Sequence, residues 1–318
     1  MVKISKINIA LISGGWSRER EISIKSGMAV YDALDKDKYS ATVYDPRDGL
    51  DLLIKNRQSI ELAFILLHGR FGEDGCIQGF LNLLNIPFIG SDVTASAMAS
   101  NKRIAKDIYK LAGLNIIQDI TLKRGSDFSV QQITNLLGEK TIVKPLSEGS
   151  SFGISVCNNR DELQEGIENS FKYEKEIIIE KFINGREVTC CVLGNDNLET
   201  LPIVEIIPNN GYKFFNYEAK YTKGATKEVC PADLSSDISE RVIQYAKVAH
   251  RALQCRTWSR TDMIILGKEV FILETNTIPG MTENSLFPLA SRAANISMTQ
   301  LLDKLIDLSL EKSAQSYV

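Results

Sequence analysis

Residues 62–75 read LAFILLHGRFGEDG. The first six are apolar without alternation, which suits a strand buried on both faces, the condition of a parallel strand covered by helices on either side. His68 and glycines 69, 72 and 75 then follow at the C-terminal end of that strand, where open α/β sheets collect their ligands. Working back toward the start, residues 7–12 (INIALI) alternate and run into Gly14 and Gly15, so a strand delivers the chain through a tight loop into a helix over 21–34. A further strand is expected at 41–44. Beyond the opening stretch, a short helix near 77–84 and the segment 87–89 complete a first unit of about 95 residues, resembling half of a doubly wound sheet.

A second unit begins with a helix over 100–112. It continues with a strand at 141–144, a glycine-bearing loop at 147–153, a helix from Asp161 and a strand at 176–180. Strands at 186–193 and 200–207 follow. Residues 208–232 are polar, aromatic-rich and without periodicity, a length at which loops are commonly lids. A helix near 236–253, two strands around Gly267 and Lys268, and helices after Pro288 and Met298 finish the chain. No internal repeat or low-complexity tract is present.

With 318 residues, a single core would usually have split into two or three. The apolar fraction of 44% and the charged fraction of 24% are those of an ordinary folded protein. A net charge of -3, with both signs interspersed, offers no broad electrostatic footprint for nucleic acid or an anionic membrane. No apolar run approaches the roughly 20 residues of a membrane helix, and the stretch after Ile7 is too short for a signal segment. The six cysteines show no C-x-x-C spacing and the two histidines lie far apart, so zinc has little support and the cysteines read as free thiols of a reducing cytosol. His250, inside a helix, reads as structural.

The strongest chemical signal lies in Arg260, Asp262, Glu274 and Asn276. Residues i and i+2 share a strand face. A three-residue hairpin loop, Gly267–Glu269, would pair Leu266 with Val270 and set Asp262 opposite Glu274 and Arg260 opposite Asn276. Three hard oxygen donors on one face suit Mg2+ bridging nucleotide phosphates. A solvated polar face is the plain alternative. Lys144 ends a strand and is followed by a loop containing Gly149, Ser150, Ser151 and Gly153, whose backbone N–H groups suit phosphate oxygens, although an ordinary turn has the same composition. Neither a P-loop nor a dinucleotide fingerprint occurs. Glu180 to Ile183, followed by Glu187, form a buried strand running into a connection where backbone groups suit an adenine edge.

Taken in order, five motifs resemble those of the D-alanine:D-alanine ligase family of the ATP-grasp superfamily. They are GGWSREREIS at 14–23, HGRFGEDGCIQG at 68–79, KPLSEGSS at 144–151, EAKY at 218–221 and ETNTIPGMT at 274–282. The resemblance spans Gly14 to Leu286. It implies an α/β chain of three-domain ATP-grasp architecture, with an N-terminal doubly wound (Rossmann-like) parallel sheet and two α+β domains clamping ATP. The implied boundaries are 1–96, 97–183 and 184–318, with 208–232 as lid.

The same resemblance implies ligation of two D-alanine molecules through an acyl-phosphate for peptidoglycan synthesis in a bacterial cytoplasm, by a homodimer using ATP and two Mg2+ ions, with Mn2+ as a substitute. Lys102 and Lys144 would hold phosphates, Glu180, Lys181 and Ile183 the adenine, and Glu187 the ribose. Asp262, Glu274 and Asn276 would hold the metal ions. Glu19 would take the first ammonium in a set with Ser150 and Tyr221, with His68 close to the same substrate. Arg260 and the Gly280 N–H would stabilise the oxyanion, while Lys220, Ser285 and Leu286 would receive the second carboxylate. Asn101, where the family more often has aspartate, and Thr257, where it often has glycine, depart from the pattern. A sibling making a D-lactate or D-serine product typically departs from the tyrosine-bearing lid motif, so Tyr221 argues against it. A regulatory relative that has lost its chemistry would not keep Arg260, Asp262, Glu274 and Asn276.

Overall fold

The computed structural model describes residues 6–147, 153–209 and 226–315. Its first sheet contains β1 (Ile7–Ile12), β2 (Tyr39–Tyr44), β3 (Leu62–Ile65) and β4 (Phe88–Ile89), all parallel, in the order β2-β1-β3-β4. Every residue of β3 is buried, as expected of a strand covered on both faces. Around it lie α1 (Arg20–Ala33), α2 (Pro46–Asn56), α3 (Cys76–Leu83) and α4 (Val93–Ser100). Helix α2 was not anticipated from periodicity. Its signal is local: Asp45 accepts from the Arg47 N–H, and Pro46 occupies the first turn, where its missing donor costs nothing.

The second sheet is antiparallel, with β5 (Asp119–Lys123), β6 (Thr141–Pro145), β7 (Ser155–Cys157) and β8 (Glu176–Lys181) in the order β5-β8-β6-β7. Helices α6 (Val130–Leu137) and α7 (Arg160–Ser170) cover one face, burying Val143, Ile177 and Ile179 with Leu137 and Leu163. The opposite face carries the odd-numbered residues of β5, with Ile142, Lys144, Ile178 and Glu180. Helix α5 (Lys102–Leu111) lies near it, yet buries Ala105 and Tyr109 in the core of the third sheet. Asn101 does the capping work of an aspartate there, accepting from the N–H groups of Arg103 and Ile104.

The third sheet runs β12-β11-β9-β13-β14, with β10 on β9. Its strands are β9 (Arg186–Leu193), β10 (Glu199–Thr200), β11 (Val204–Pro208), β12 (Thr226–Val229), β13 (Trp258–Leu266) and β14 (Glu269–Asn276). The single strand expected over 200–207 is two strands, because Pro202 has no N–H to give the ladder. Helices α8 (Ser236–Ala252), α9 (Leu286–Ala293) and α10 (Met298–Gln315) complete the chain. Leu301, Leu302, Leu305 and Ile306 of α10 share one core with Ile9, Leu11, Leu62 and Phe64 of the first sheet, so the end of the chain closes over its beginning.

Candidate active site

The hairpin of β13 and β14 differs from expectation in its turn but not in its outcome. Leu266 pairs with Glu269, leaving a two-residue turn with Gly267 at φ +60°, the left-handed position a tight hairpin gives to glycine. Continued regularly, that turn would set Glu274 opposite Thr261 on the core side. A β-bulge between the Met263–Ile272 and Asp262–Glu274 pairs absorbs Leu273 and restores Asp262 opposite Glu274 and Arg260 opposite Asn276. The bulge reconciles two demands. Ile265 must face Val270 and Met263 must face Ile272 in the core, whereas both carboxylates must face away from it.

Arg260 forks onto Asp262, with Nε to Oδ1 at 2.9 Å and Nη2 to Oδ2 at 2.8 Å. Thr189, opposite Asp262 on β9, donates to the same carboxylate at 2.6 Å. Burial opposes charge on Arg260, yet the Asp262 carboxylate outweighs it and raises the guanidinium pKa. On the reverse face Tyr109 donates to Thr275 at 2.8 Å and Thr275 meets Thr261 at 3.1 Å, tying α5 to the hairpin. Sequence reasoning passed over Thr189, Tyr109 and Thr275, because nothing in a single chain shows which strands will be neighbours.

From the first sheet, Glu19 sits buried at the start of α1, and a Cβ on Gly69 would lie 3.0 Å from its Oε2. Ser23 locks the loop beneath, accepting from Gly14 N–H and donating to Leu66 O, both at 2.7 Å. His68 is buried between Ser26, 3.4 Å from Nε2, and Glu73, 3.7 Å from Nδ1. Burial disfavours its imidazolium, but Glu73 and then Glu19 outweigh that and raise its pKa. From the C-terminal side, Ser285 precedes α9 and its Oγ accepts from Thr282 N–H at 3.1 Å. A Cβ on Gly280 would come within 2.9 Å of that hydroxyl oxygen, so glycine keeps this backbone close to Ser285.

A cleft of about 990 Å³ gathers Glu19, His68, Lys102, Arg260, Glu274, Asn276, Gly280, Ser285 and Leu286 on one wall system. Lys144, Glu180, Lys181, Ile183, Glu187 and Asp262 do not line it. Lys144 lies on β6, Glu180 and Lys181 on β8, Ile183 in the connection from β8 to β9 and Glu187 on β9, while Asp262 is drawn back under Arg260. The nucleotide candidates nevertheless sense one another. Lys144 is 2.6 Å from Glu180, and after the cost of burial its pKa is raised by Glu180, Glu274 and Glu187. Lys102 is pulled down by burial, against Glu274. Lys181 is exposed, with its N–H bonded to Gln118 O at 3.0 Å, while Ile183 and Glu187 are half-buried. Ser150, Lys220 and Tyr221 lie outside the described residues, as does most of the stretch expected to form a lid.

A parallel sheet joined to two antiparallel sheets, with lysines and carboxylates gathered where they meet, is the ATP-grasp architecture. The family model described as D-ala D-ala ligase C-terminus matches residues 108–307, and that for the D-ala D-ala ligase N-terminus matches 50–91. The chain is 49% identical to a D-alanine--D-alanine ligase of Syntrophobacter fumaroxidans, over 96% of this chain and 98% of that protein. It is 46% identical to one of Desulfotalea psychrophila, over 98% and 97%. Among solved structures it resembles the D-alanine--D-alanine ligase of Bacillus anthracis complexed with ATP, with TM-score 0.85, 33% identity and coverage of 97% and 99%. The VanG D-Ala:D-Ser ligase of Enterococcus faecalis gives TM-score 0.83, 32% identity and coverage of 96% and 100%. The chain belongs to the D-alanine–D-alanine ligase family.

Proposed function

We infer that this chain joins two D-alanine molecules into D-alanyl-D-alanine for peptidoglycan synthesis, converting ATP to ADP and phosphate. A carboxylate oxygen of the first D-alanine attacks the γ-phosphorus and the bond to the bridging oxygen breaks, releasing ADP. The second D-alanine, as its neutral amine, then attacks the acyl carbon; phosphate leaves with the carbon–oxygen electron pair, and the nitrogen gives up one proton as the amide forms. Such transfers need positioning and charge neutralisation more than covalent help. Shelter from water protects the acyl-phosphate until the amine arrives.

The observation that carries this reading is the face of Arg260, Glu274 and Asn276 opening onto a cleft shared with Glu19, His68 and Ser285. Glu19 takes the first ammonium, with His68 beside that substrate and Ser150 and Tyr221 in the same set. Arg260 and the Gly280 N–H meet the oxyanion, and Ser285, Lys220 and the Leu286 N–H receive the second carboxylate. Lys102 and Lys144 hold phosphates, Glu180, Lys181 and Ile183 border the adenine, and Glu187 the ribose.

Asp262, Glu274 and Asn276 fit Mg2+, and Mn2+ in its place. All three offer hard oxygen donors, and the register sets Asp262 opposite Glu274 with Asn276 two residues further along the same strand. Among the described residues no three His, Cys, Asp or Glu side chains form a ready cage. That suits an ion that keeps waters and phosphate oxygens in its shell. When bound, it would offset the charge of the phosphates. A homodimer working in the cytoplasm belongs to the same proposal.

The test is phosphate release with ATP and D-alanine, against L-alanine, D-lactate and D-serine. D-alanine-dependent release abolished by chelator is expected. No D-alanine-dependent release would overturn the activity, and preferential coupling of D-serine would favour the sibling chemistry named for the Enterococcus faecalis neighbour.

A further inference from the structure

The register of the second sheet sets two carboxylates face to face, Asp119 on β5 directly opposite Glu180 on β8. Lys144 shares that face as a diagonal neighbour, since Ile142 pairs with Glu180 and residues two apart on a strand point the same way. Like charges directly opposite one another destabilise a sheet. Between the two stands Lys106, from the next turn of α5 after Lys102 and only 2% exposed. Its Nζ lies 2.6 Å from Glu180 Oε1, 2.9 Å from Asp119 Oδ1 and 2.7 Å from Ile117 O. An ammonium has three donors, and all three are engaged. The other oxygen of Glu180 is 2.6 Å from Lys144 Nζ, so charge alternates from Asp119 through Lys106 and Glu180 to Lys144.

We propose that Lys106 is a positioning residue for the nucleotide site: by holding one oxygen and part of the charge of Glu180, it leaves the Lys144 ammonium available to phosphate. This rests on the assignment of Lys144 and Glu180 to ATP. Burial alone would raise the Glu180 pKa, but Lys144 and Lys106 hold it at about 2, so the carboxylate stays ionised. Without Lys106, Asp119 keeps only Arg103, at 3.7 Å, and Glu180 keeps only Lys144. The Lys144 ammonium is then held on Glu180 and is less available to phosphate. Lys106 itself reaches neither substrate, because its donors are spent on the protein.

The experiment uses the full chain with Lys106→Met, the double variant Lys106→Met/Asp119→Asn, and Lys144→Met as control. For Lys106→Met the expected result is an ATP KM raised about tenfold, the scale of one lost charge-assisted hydrogen bond, with the D-alanine KM unchanged. The double variant restores charge balance and recovers most of that loss, to about threefold above wild type, because Glu180 still lacks its second anchor. If Lys106→Met alone does not fold, the double variant decides by its rise of about threefold in ATP KM at constant D-alanine KM. An ATP KM unchanged in the Lys106 variants while Lys144→Met weakens nucleotide binding would overturn the positioning role. Equal losses for ATP and D-alanine would overturn it too, as general loosening of the fold. A Lys144→Met chain that binds ADP like wild type would instead remove the nucleotide assignment on which the proposal rests.

Discussion

Burial and charge act against each other at His68, and the direction of their balance can be measured. Burial favours neutral imidazole, but Glu73 and Glu19 favour the cation by more, so the folded pKa lies above the ordinary 6.5. A folded pKa above the unfolded one contributes stability that is complete below pH 6.5 and is lost as pH rises through the folded value. The melting-temperature difference between wild type and His68→Gln should therefore be larger at about pH 5.5 than at about pH 8.5. A difference that grows with pH would mean that His68 is held neutral.

Thr257 poses a second question at this scale. It stands at φ +65°, with Trp258 N–H bonded to Arg256 O at 2.7 Å, a turn that strains a β-branched residue by about 1–3 kcal/mol. Its hydroxyl meets Ser309 at 3.3 Å. Thr257→Gly relieves the strain but loses that contact and gains unfolded-state entropy, so stability should stay within about 1 kcal/mol. Thr257→Val keeps the strain and loses the hydrogen bond, and should cost about 1–2 kcal/mol by urea unfolding. A glycine variant less stable than the valine one would show that the threonine side chain, not the backbone, governs this turn.

Between elements, the hydroxyls of Tyr109, Thr275 and Thr261 fasten α5 to the back of the bulged hairpin, where all three are buried. Thr275→Val strands the Tyr109 hydroxyl without its acceptor, at about 1–3 kcal/mol, whereas Tyr109→Phe removes donor and demand together and should cost less. Combined, the two should fall short of additivity by about 1 kcal/mol in a double-mutant cycle. Strict additivity would show that the hydroxyls do not act as a unit. This is also the scale at which sequence reading succeeded and stopped. The apolar run at 62–67 gives a strand buried on both faces and with it parallel pairing, and the expected bounds 186–193 are those of β9, because burial writes itself into hydrophobic pattern. At 7–12 the expected alternation is absent, since the last four residues of β1 are all buried. Strand β5 escaped because its residues are only partly buried and follow no such pattern. Helix α6 is short, although Ser129 followed by Gln132 is a capping signature that would have located it. Asp262 opposite Glu274 was expected from an odd-numbered loop, whereas the fold uses an even turn and a bulge. Parity alone leaves both solutions open, and the core pairing Ile265–Val270 selects between them.

Across the whole molecule, the hydrophobic cores do not follow chain order. The second sheet has a core of its own, drawn from residues between Ile120 and Ile179. The first sheet shares one of its two cores with the third sheet, α9 and α10. Phe64 meets Trp258 edge-on at 5.8 Å, and Trp258 meets Phe287 at 5.2 Å, so an aromatic relay runs from β3 through β13 to α9. Thr299 Oγ1 donates to Ala33 O at 2.8 Å, and Asp303 accepts from Tyr39 at 2.9 Å and from Lys38 at 2.6 Å. The two ends of the chain are therefore packed into one body, while the second sheet has a core of its own. Leu305, fully buried on α10, lies in the shared core. Leu305→Ala should cost about 2–5 kcal/mol through lost transfer energy and a residual cavity. Amide hydrogen exchange would then quicken in β1 and β3, far away in sequence, as well as in α10, while β6 and β8 keep their wild-type protection. Faster exchange everywhere would make the chain a single cooperative unit. If exchange quickened in α10 alone, the shared core would not couple the two ends, and the body formed by the first and third sheets would not hold together as argued.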